Sequence, residues 1–267
     1  MSADGTGASP AIDTPDLGTR HIRVEVRDRV LHLRVDRVER RNSFTQDMYR
    51  ALKRAAIWAD RQPELDAVCL TGTDRWFGAG GDMGGNAEDV AALETEWDPS
   101  EHFPFRHIER CSKLWVAAVN GMCVAGGMDL ILHCDVVIAS DQAKFRVPEL
   151  LRGIPDPHMS ARLSQVVGLQ RARYLFFTAD LIDAHQAAQM GLVGKVVPHD
   201  ELGAETERVL GAIAETGPVA RTMVKRDLNK GLPPHSTQMF VDSFGSPEMV
   251  EGMTAFLEKR PAVWPRD

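Results

Sequence analysis

The sequence predicts an α/β fold of repeated strand–turn–helix units, closed by a helical C-terminal subdomain. Three observations predict it. Short apolar runs bounded by turn residues alternate with amphipathic stretches as far as about residue 199; two of those runs lead into glycine-rich turns; and from about residue 200 the pattern is helical. The 267 residues are 43% hydrophobic and 26% charged, which is ample material for a large core.

Residues 1–20 are rich in Gly, Ala, Ser, Pro and Asp, without a basic start or a long apolar stretch. They read as a disordered tail and not as a secretory signal. Residues 21–37 alternate Ile22, Val24 and Val26, then Val30, Leu31, Leu33 and Val35, with charged residues between, so a strand pair turning near Asp28 is expected. Ser43 and Gln46 have capping-box spacing and predict a helix whose apolar positions are Met48, Leu52, Ala55, Ala56 and Ala59. Residues 67–72 are a short apolar run, hence a buried strand.

The cycle then recurs: a helix at 103–111, a strand at 114–119, a glycine-punctuated turn, a helix starting near Gly126, and strands at 135–139 and 144–147. Beyond residue 159 the pattern is mainly helical, at 170–178, 183–190, 201–214, 218–229 and 247–259, with one short strand at 194–198. Gly191 stops one of these helices and Pro218 suits the first turn of another. The division expected is a core domain at 21–199 and a helical subdomain at 200–267.

Bulk properties exclude several classes. A net charge of -7 disfavours a nucleic-acid surface, which draws on clustered Lys and Arg. No apolar run approaches the roughly 20 residues of a membrane span. Cys69, Cys111, Cys123 and Cys134 lack C-x-x-C spacing and sit in apolar surroundings, so free buried thiols, no metal and a reducing cytoplasm are expected.

Chemistry concentrates in two turns and three acids. The first turn is Gly78-Ala79-Gly80-Gly81-Asp82, after Trp76-Phe77; the second runs from Asn120-Gly121 through Val124-Ala125-Gly126-Gly127 into Asp129. Small residues let backbone approach a ligand, and two such turns facing one another can hold a developing oxyanion; taken singly, each is also an ordinary strand–helix turn. Neither has phosphate-loop spacing. Asp129 lies among Met128, Leu130 and Ile131, Glu149 among Val147, Leu150 and Leu151, and Asp156 follows Pro155. A carboxyl in apolar company needs a partner or its pKa rises, and Arg146 and Arg152 are candidate partners for Glu149.

These segments, in this order, resemble the crotonase (enoyl-CoA hydratase/isomerase) family, and the similarity runs from about residue 21 to 259. Phe77 to Asp82 resembles its first oxyanion segment, 119–130 its second, 145–155 its acid stretch, and 178–193 a later helix. The resemblance implies a spiral of ββα units, trimers or dimers of trimers, no bound cofactor, and an acyl-CoA substrate of fatty acid metabolism. By position, Ala79 and Gly126 N–H groups would hold the thioester oxygen. Gly78, Gly80, Gly81, Asp82 and Gly127 would line the substrate, and Asp129, Glu149 and Asp156 would move protons.

Hydratases of the family commonly carry Glu at both acid positions, whereas here the first is Asp129. The Asp–Glu–Asp set resembles the dienoyl-CoA isomerase branch, although the loop after Glu149 is one residue short. Hydration and double-bond isomerisation share one enolate and both stay open. So do hydrolysis of a thioester or a β-diketone C–C bond, with Asp156 and His158 activating water, and a binding protein without turnover. His158 reads as structural or exposed, and Trp97, Phe103 and Phe105 as pocket lining or plain core.

Overall fold

The computed structural model of the chain describes residues 12–82, 103–243 and 245–266. Its first strands, β1 (Ile22–Arg27) and β2 (Val30–Val35), pair antiparallel across a tight turn in which Asp28 and Arg29 take φ of 49° and 61°. Two positive φ angles give the turn geometry that matches the right-handed twist of paired strands. Helix α1 (Gln46–Asp60) follows, burying Met48, Tyr49, Ala51, Leu52, Ala55, Ala56 and Ala59. Its cap is Thr45, which accepts from Met48 N–H, and not Ser43 as the spacing predicted. The reason is tertiary. Phe44 N–H donates to Gly80 O at 2.8 Å and Asp82 N–H to Phe44 O at 2.8 Å, which holds the chain extended past Ser43. The Ser43 hydroxyl instead accepts from Arg37.

Strand β3 (Ala67–Thr71) then leads within a few residues to β4 (Trp76–Gly78). After helix α2 (Phe105–Arg110) the same step recurs as β5 (Leu114–Val119) and β6 (Met122–Val124), followed by helix α3 (Gly126–Leu132). It recurs again as β7 (Val136–Ser140) and β8 (Lys144–Arg146). Helices α4 (Pro157–Val167) and α5 (Leu169–Thr178), strand β9 (Ile182–Asp183), helix α6 (Ala184–Met190) and strand β10 (Lys195–Val197) complete the mixed region. Helices α7 (Leu202–Ala214), α8 (Pro218–Asn229), α9 (Thr237–Ser243) and α10 (Pro247–Glu258) follow.

The topology is the expected spiral of ββα units. The first strand of each unit joins a six-stranded sheet of order β1-β2-β3-β5-β7-β10, parallel from β2 onward. From β3 onward the second strand of each unit joins a four-stranded sheet of order β4-β6-β8-β9, whereas β2 stays beside β1 in the first sheet. A parallel step from one unit to the next therefore extends both sheets at once. The strands of the first sheet are apolar on both faces: Val68, Leu70, Trp115, Val116, Ala117 and Val119 are all fully buried.

Of the segment expected as a tail, residues 12–20 are described, and Leu17 is buried with its carbonyl accepting from Arg54 at 2.9 Å. The four cysteines are free thiols, and Cys69, Cys111 and Cys123 are buried. Among the described residues, no helix is long and apolar enough to cross a membrane.

Candidate active site

Because β4 and β6 lie side by side in parallel, the turns that follow them are brought against each other. Gly127 approaches Gly78 so closely that a Cβ on Gly127 would lie 2.8 Å from Gly78 O, a backbone atom that cannot swing aside. A Cβ on Gly80 would lie 3.6 Å from Gly126 N, and one on Gly126 3.7 Å from Gly81 N. The segment containing Ala79 is thus in contact with the start of α3. Arg37 pairs with Asp82 at 2.6 Å, so Asp82 anchors the first turn to the β2 side of the molecule.

The entry to α3 is strained. Ala125 has φ 54° and ψ -124°, a region that a residue with a Cβ rarely occupies and that costs about 1–3 kcal/mol. Its carbonyl accepts from both Met128 and Asp129 N–H, at 2.7 and 3.1 Å. The N–H groups of Gly126 and Gly127, in the first turn, have no carbonyl within the helix to meet.

The three acids come together beside these turns. Asp129, in the first turn of α3, is 2% exposed, and Glu149, which opens the 3-10 turn Glu149–Arg152, is 6% exposed. Asp156 caps α4, its Oδ1 accepting from His158 N–H at 2.9 Å and Met159 N–H at 3.0 Å. Burial drives the Asp129 carboxyl well above the usual carboxylate range, helped by the charge of Asp156, a hydrogen bond between the two carboxyls, and the charge of Glu149. Two carboxyls bond only through a shared proton. Burial also raises Asp156, while its two backbone donors resist the rise.

Glu149 is pushed up to about 8, first by burial and then by the charge of Asp156. The expected ion pairs with Arg146 and Arg152 do not form. Arg146 donates to Ala179 O and Arg152 to Pro148 O, leaving Arg152 to act on Glu149 only through its charge.

Tyr49, on the buried face of α1, packs against this site and was not singled out in the sequence. Its hydroxyl would lie 2.0 Å from a Cβ on Gly126, so it occupies the space that glycine leaves open. Burial, then the charges of Asp129, Asp156 and Glu149, raise its pKa well above 10 and keep it a neutral donor. Phe103 and Phe105 stack on each other 5.4 Å apart with Tyr49 edge-on to both, so they wall the site; Trp97 lies outside the described residues. His158 is buried, not exposed, and its ring bonds His235 at 2.8 Å instead of an acid. An open cleft of about 540 Å³ lies behind the acid loop, between Leu150, Pro155, Met239 and Trp264, and none of the three acids lines it.

Fold and site together define a class of α/β protein in which ββα repeats set two glycine turns edge to edge beside buried acids. A model of the Enoyl-CoA hydratase/isomerase family matches residues 25–267. The chain is 34% identical over 252 residues to the crotonyl-CoA hydratase of Syntrophomonas wolfei, covering 91% of this chain and 96% of that protein. It is 33% identical over 248 residues to the mevalonyl-coenzyme A hydratase of Aspergillus fumigatus, covering 88% and 91%. The crystal structure of an enoyl-CoA hydratase/isomerase from Pseudoalteromonas atlantica superposes with a TM-score of 0.82 at 29% identity, covering 92% of this chain and 100% of that one. The chain belongs to the enoyl-CoA hydratase/isomerase family, within the crotonase superfamily, and is an enzyme of that family.

Proposed function

We propose that the chain shifts a double bond in an enoyl- or dienoyl-CoA thioester, through an enolate held by the N–H groups of Ala79 and Gly126. The observation that carries this reading is the pairing of the buried Asp129 and Asp156 carboxyls, set close enough to act on one another, with Glu149 beside them. It ties up the first acid position, which hydration would need for orienting water, and leaves two proton-exchange centres: the Asp129–Asp156 pair and Glu149.

The chemistry follows from their ionisation. Asp156, the carboxylate with the most donors, takes the proton from the carbon next to the thioester carbonyl. Negative charge moves onto the carbonyl oxygen, where the two N–H groups meet it and the neutral Tyr49 hydroxyl adds a third donor. Glu149, protonated below about pH 8, delivers its proton to the far end of the conjugated system. The double bonds have then moved with no net gain or loss of atoms, and proton exchange among the acids resets the site. Coenzyme A enters with the substrate, and none of these steps requires a bound cofactor.

Hydration is the second reading, favoured by the hydratase names of the relatives. Steady-state assays on crotonyl-CoA and on a 3,5-dienoyl-CoA, followed by ultraviolet absorbance, separate the two. Growth of 2,4-dienoyl absorbance is expected. Consumption of crotonyl-CoA alone transfers the assignment to hydration, release of free thiol to hydrolysis, and tight binding without turnover to a binding protein.

The reading extends to assembly. Helix α8 leaves Val219, Met223, Val224 and Leu228 exposed, an apolar face for trimer contacts, and light scattering after gel filtration measures the assembly. Free buried thiols support a cytoplasmic location.

A further inference from the structure

Behind the Phe103–Phe105 wall, away from the carboxyl chemistry, Glu109 on α2, His133 just after α3, and His235 before α9 converge. One ligand atom from each lies within 4.8 Å of the others. Tautomer logic makes this cluster unusual. His133 Nδ1 lies 2.6 Å from Asp129 O, and a carbonyl only accepts, so Nδ1 carries the proton. In the neutral ring Nε2 is then a bare lone pair. It faces Glu109 Oε1 at 3.6 Å, in a side chain with no exposure, and has no hydrogen-bond partner. Two acceptors turned toward each other in a buried place call for a proton, a water or a metal ion between them.

We propose that Glu109, His133 and His235 bind one divalent transition-metal ion of the zinc class. The separation is suitable: two donors about 2.0–2.1 Å from a tetrahedral ion sit roughly 3.4 Å apart, close to the 3.6 Å between His133 Nε2 and Glu109 Oε1. Each ligand also has the outer partner that metal sites use. His133 is oriented by Asp129 O, and His235 by His158, at 2.8 Å between their Nδ1 atoms, which leaves His235 Nε2 without a partner. Glu109 is held by Arg162, whose Nη1 also donates to Pro233 O at 2.7 Å. Arg162 occupies one lone pair on each Glu109 oxygen, and an ionised carboxylate has about four. The nearby guanidinium weakens the site relative to an unpaired glutamate without filling it. The ion would staple the segment after α8 to the end of the helix that carries Asp129, and it stands independently of the reaction proposed above.

The test uses the full chain, stripped with chelator, desalted and titrated with Co(II) at micromolar protein. The expected result is one equivalent retained through gel filtration, with visible d–d bands of a four- or five-coordinate site that Zn(II) abolishes. His235→Gln, on a half-buried connection, and Glu109→Gln should each weaken uptake about tenfold or more with circular dichroism unchanged. No retained cobalt in the native chain overturns the proposal whatever the variants do. Undiminished uptake by His235→Gln overturns it equally, since the ion would then sit elsewhere.

Discussion

Asp156 sits against the buried Asp129 carboxyl closely enough for each to shift the other's ionisation, and the same Asp156 carboxyl accepts from two backbone N–H groups at the start of α4. A helix cap and a member of the acid cluster are thus one side chain. The two roles separate by mutation.

Asp156→Asn keeps an oxygen for the cap but loses the proton site. Asn and Asp are near-equal caps, so the melting temperature should stay within a few degrees while kcat falls about 10²-fold or more. Asp156→Ala should add a loss of about 0.5–2 kcal/mol of stability. Calorimetry and steady-state assay on both variants check this, and wild-type kcat in Asp156→Asn removes the residue from catalysis.

Glu149 weakens the fold as pH rises. Its pKa is raised on folding, so the native state binds more protons than the unfolded chain between the ordinary glutamate range and about pH 8. Stability therefore falls with rising pH across that window. Glu149→Gln, which cannot ionise, should leave the melting temperature near wild type at pH 5 and raise it by several degrees at pH 8. A variant equally displaced at both pH values contradicts the raised pKa.

The same ionisation shapes the rate. With Glu149 as the proton donor, kcat/KM should fall above an apparent pKa near 8, a value belonging to the acid cluster as a whole. A profile flat through pH 9 assigns the donor role to another group.

Tyr49→Phe removes one oxygen and keeps the aromatic packing against Phe44, Phe103 and Phe105. A donor that acts on the enolate should lower kcat by about 10–10²-fold with KM little changed and weaken an enolate-mimicking nitronate-CoA more than substrate. Equal loss for both ligands indicates a packing role only.

Gly127→Ala puts a methyl 2.8 Å from Gly78 O and must separate the two turns. Loss of activity exceeding loss of thermal stability is expected, because a shift of about 1 Å in a reacting geometry can cost on the order of 10²-fold.

Much of this architecture was legible before the structure. The strand pair at 22–35, the strands at 67–71 and 114–119, and α8 follow their periodicities closely. Strands β4 and β6 escaped because the glycines beside them read as turns. The Thr45 cap escaped because Phe44 is held extended by residues 80–82, nearly forty positions away. The acids were found through their apolar neighbours and their spacing. Tyr49 and the Glu109–His133–His235 cluster left no such trace, since each group is assembled from distant elements.

Periodicity and the missing side chains of glycine are local properties, so the chain alone set the order of its elements and the places where backbone can crowd backbone. Which carboxyl carries a proton is different in kind. That depends on burial and on the distance between charges twenty or more residues apart, here 129 to 149 and 156, and both quantities exist only once the repeats have stacked.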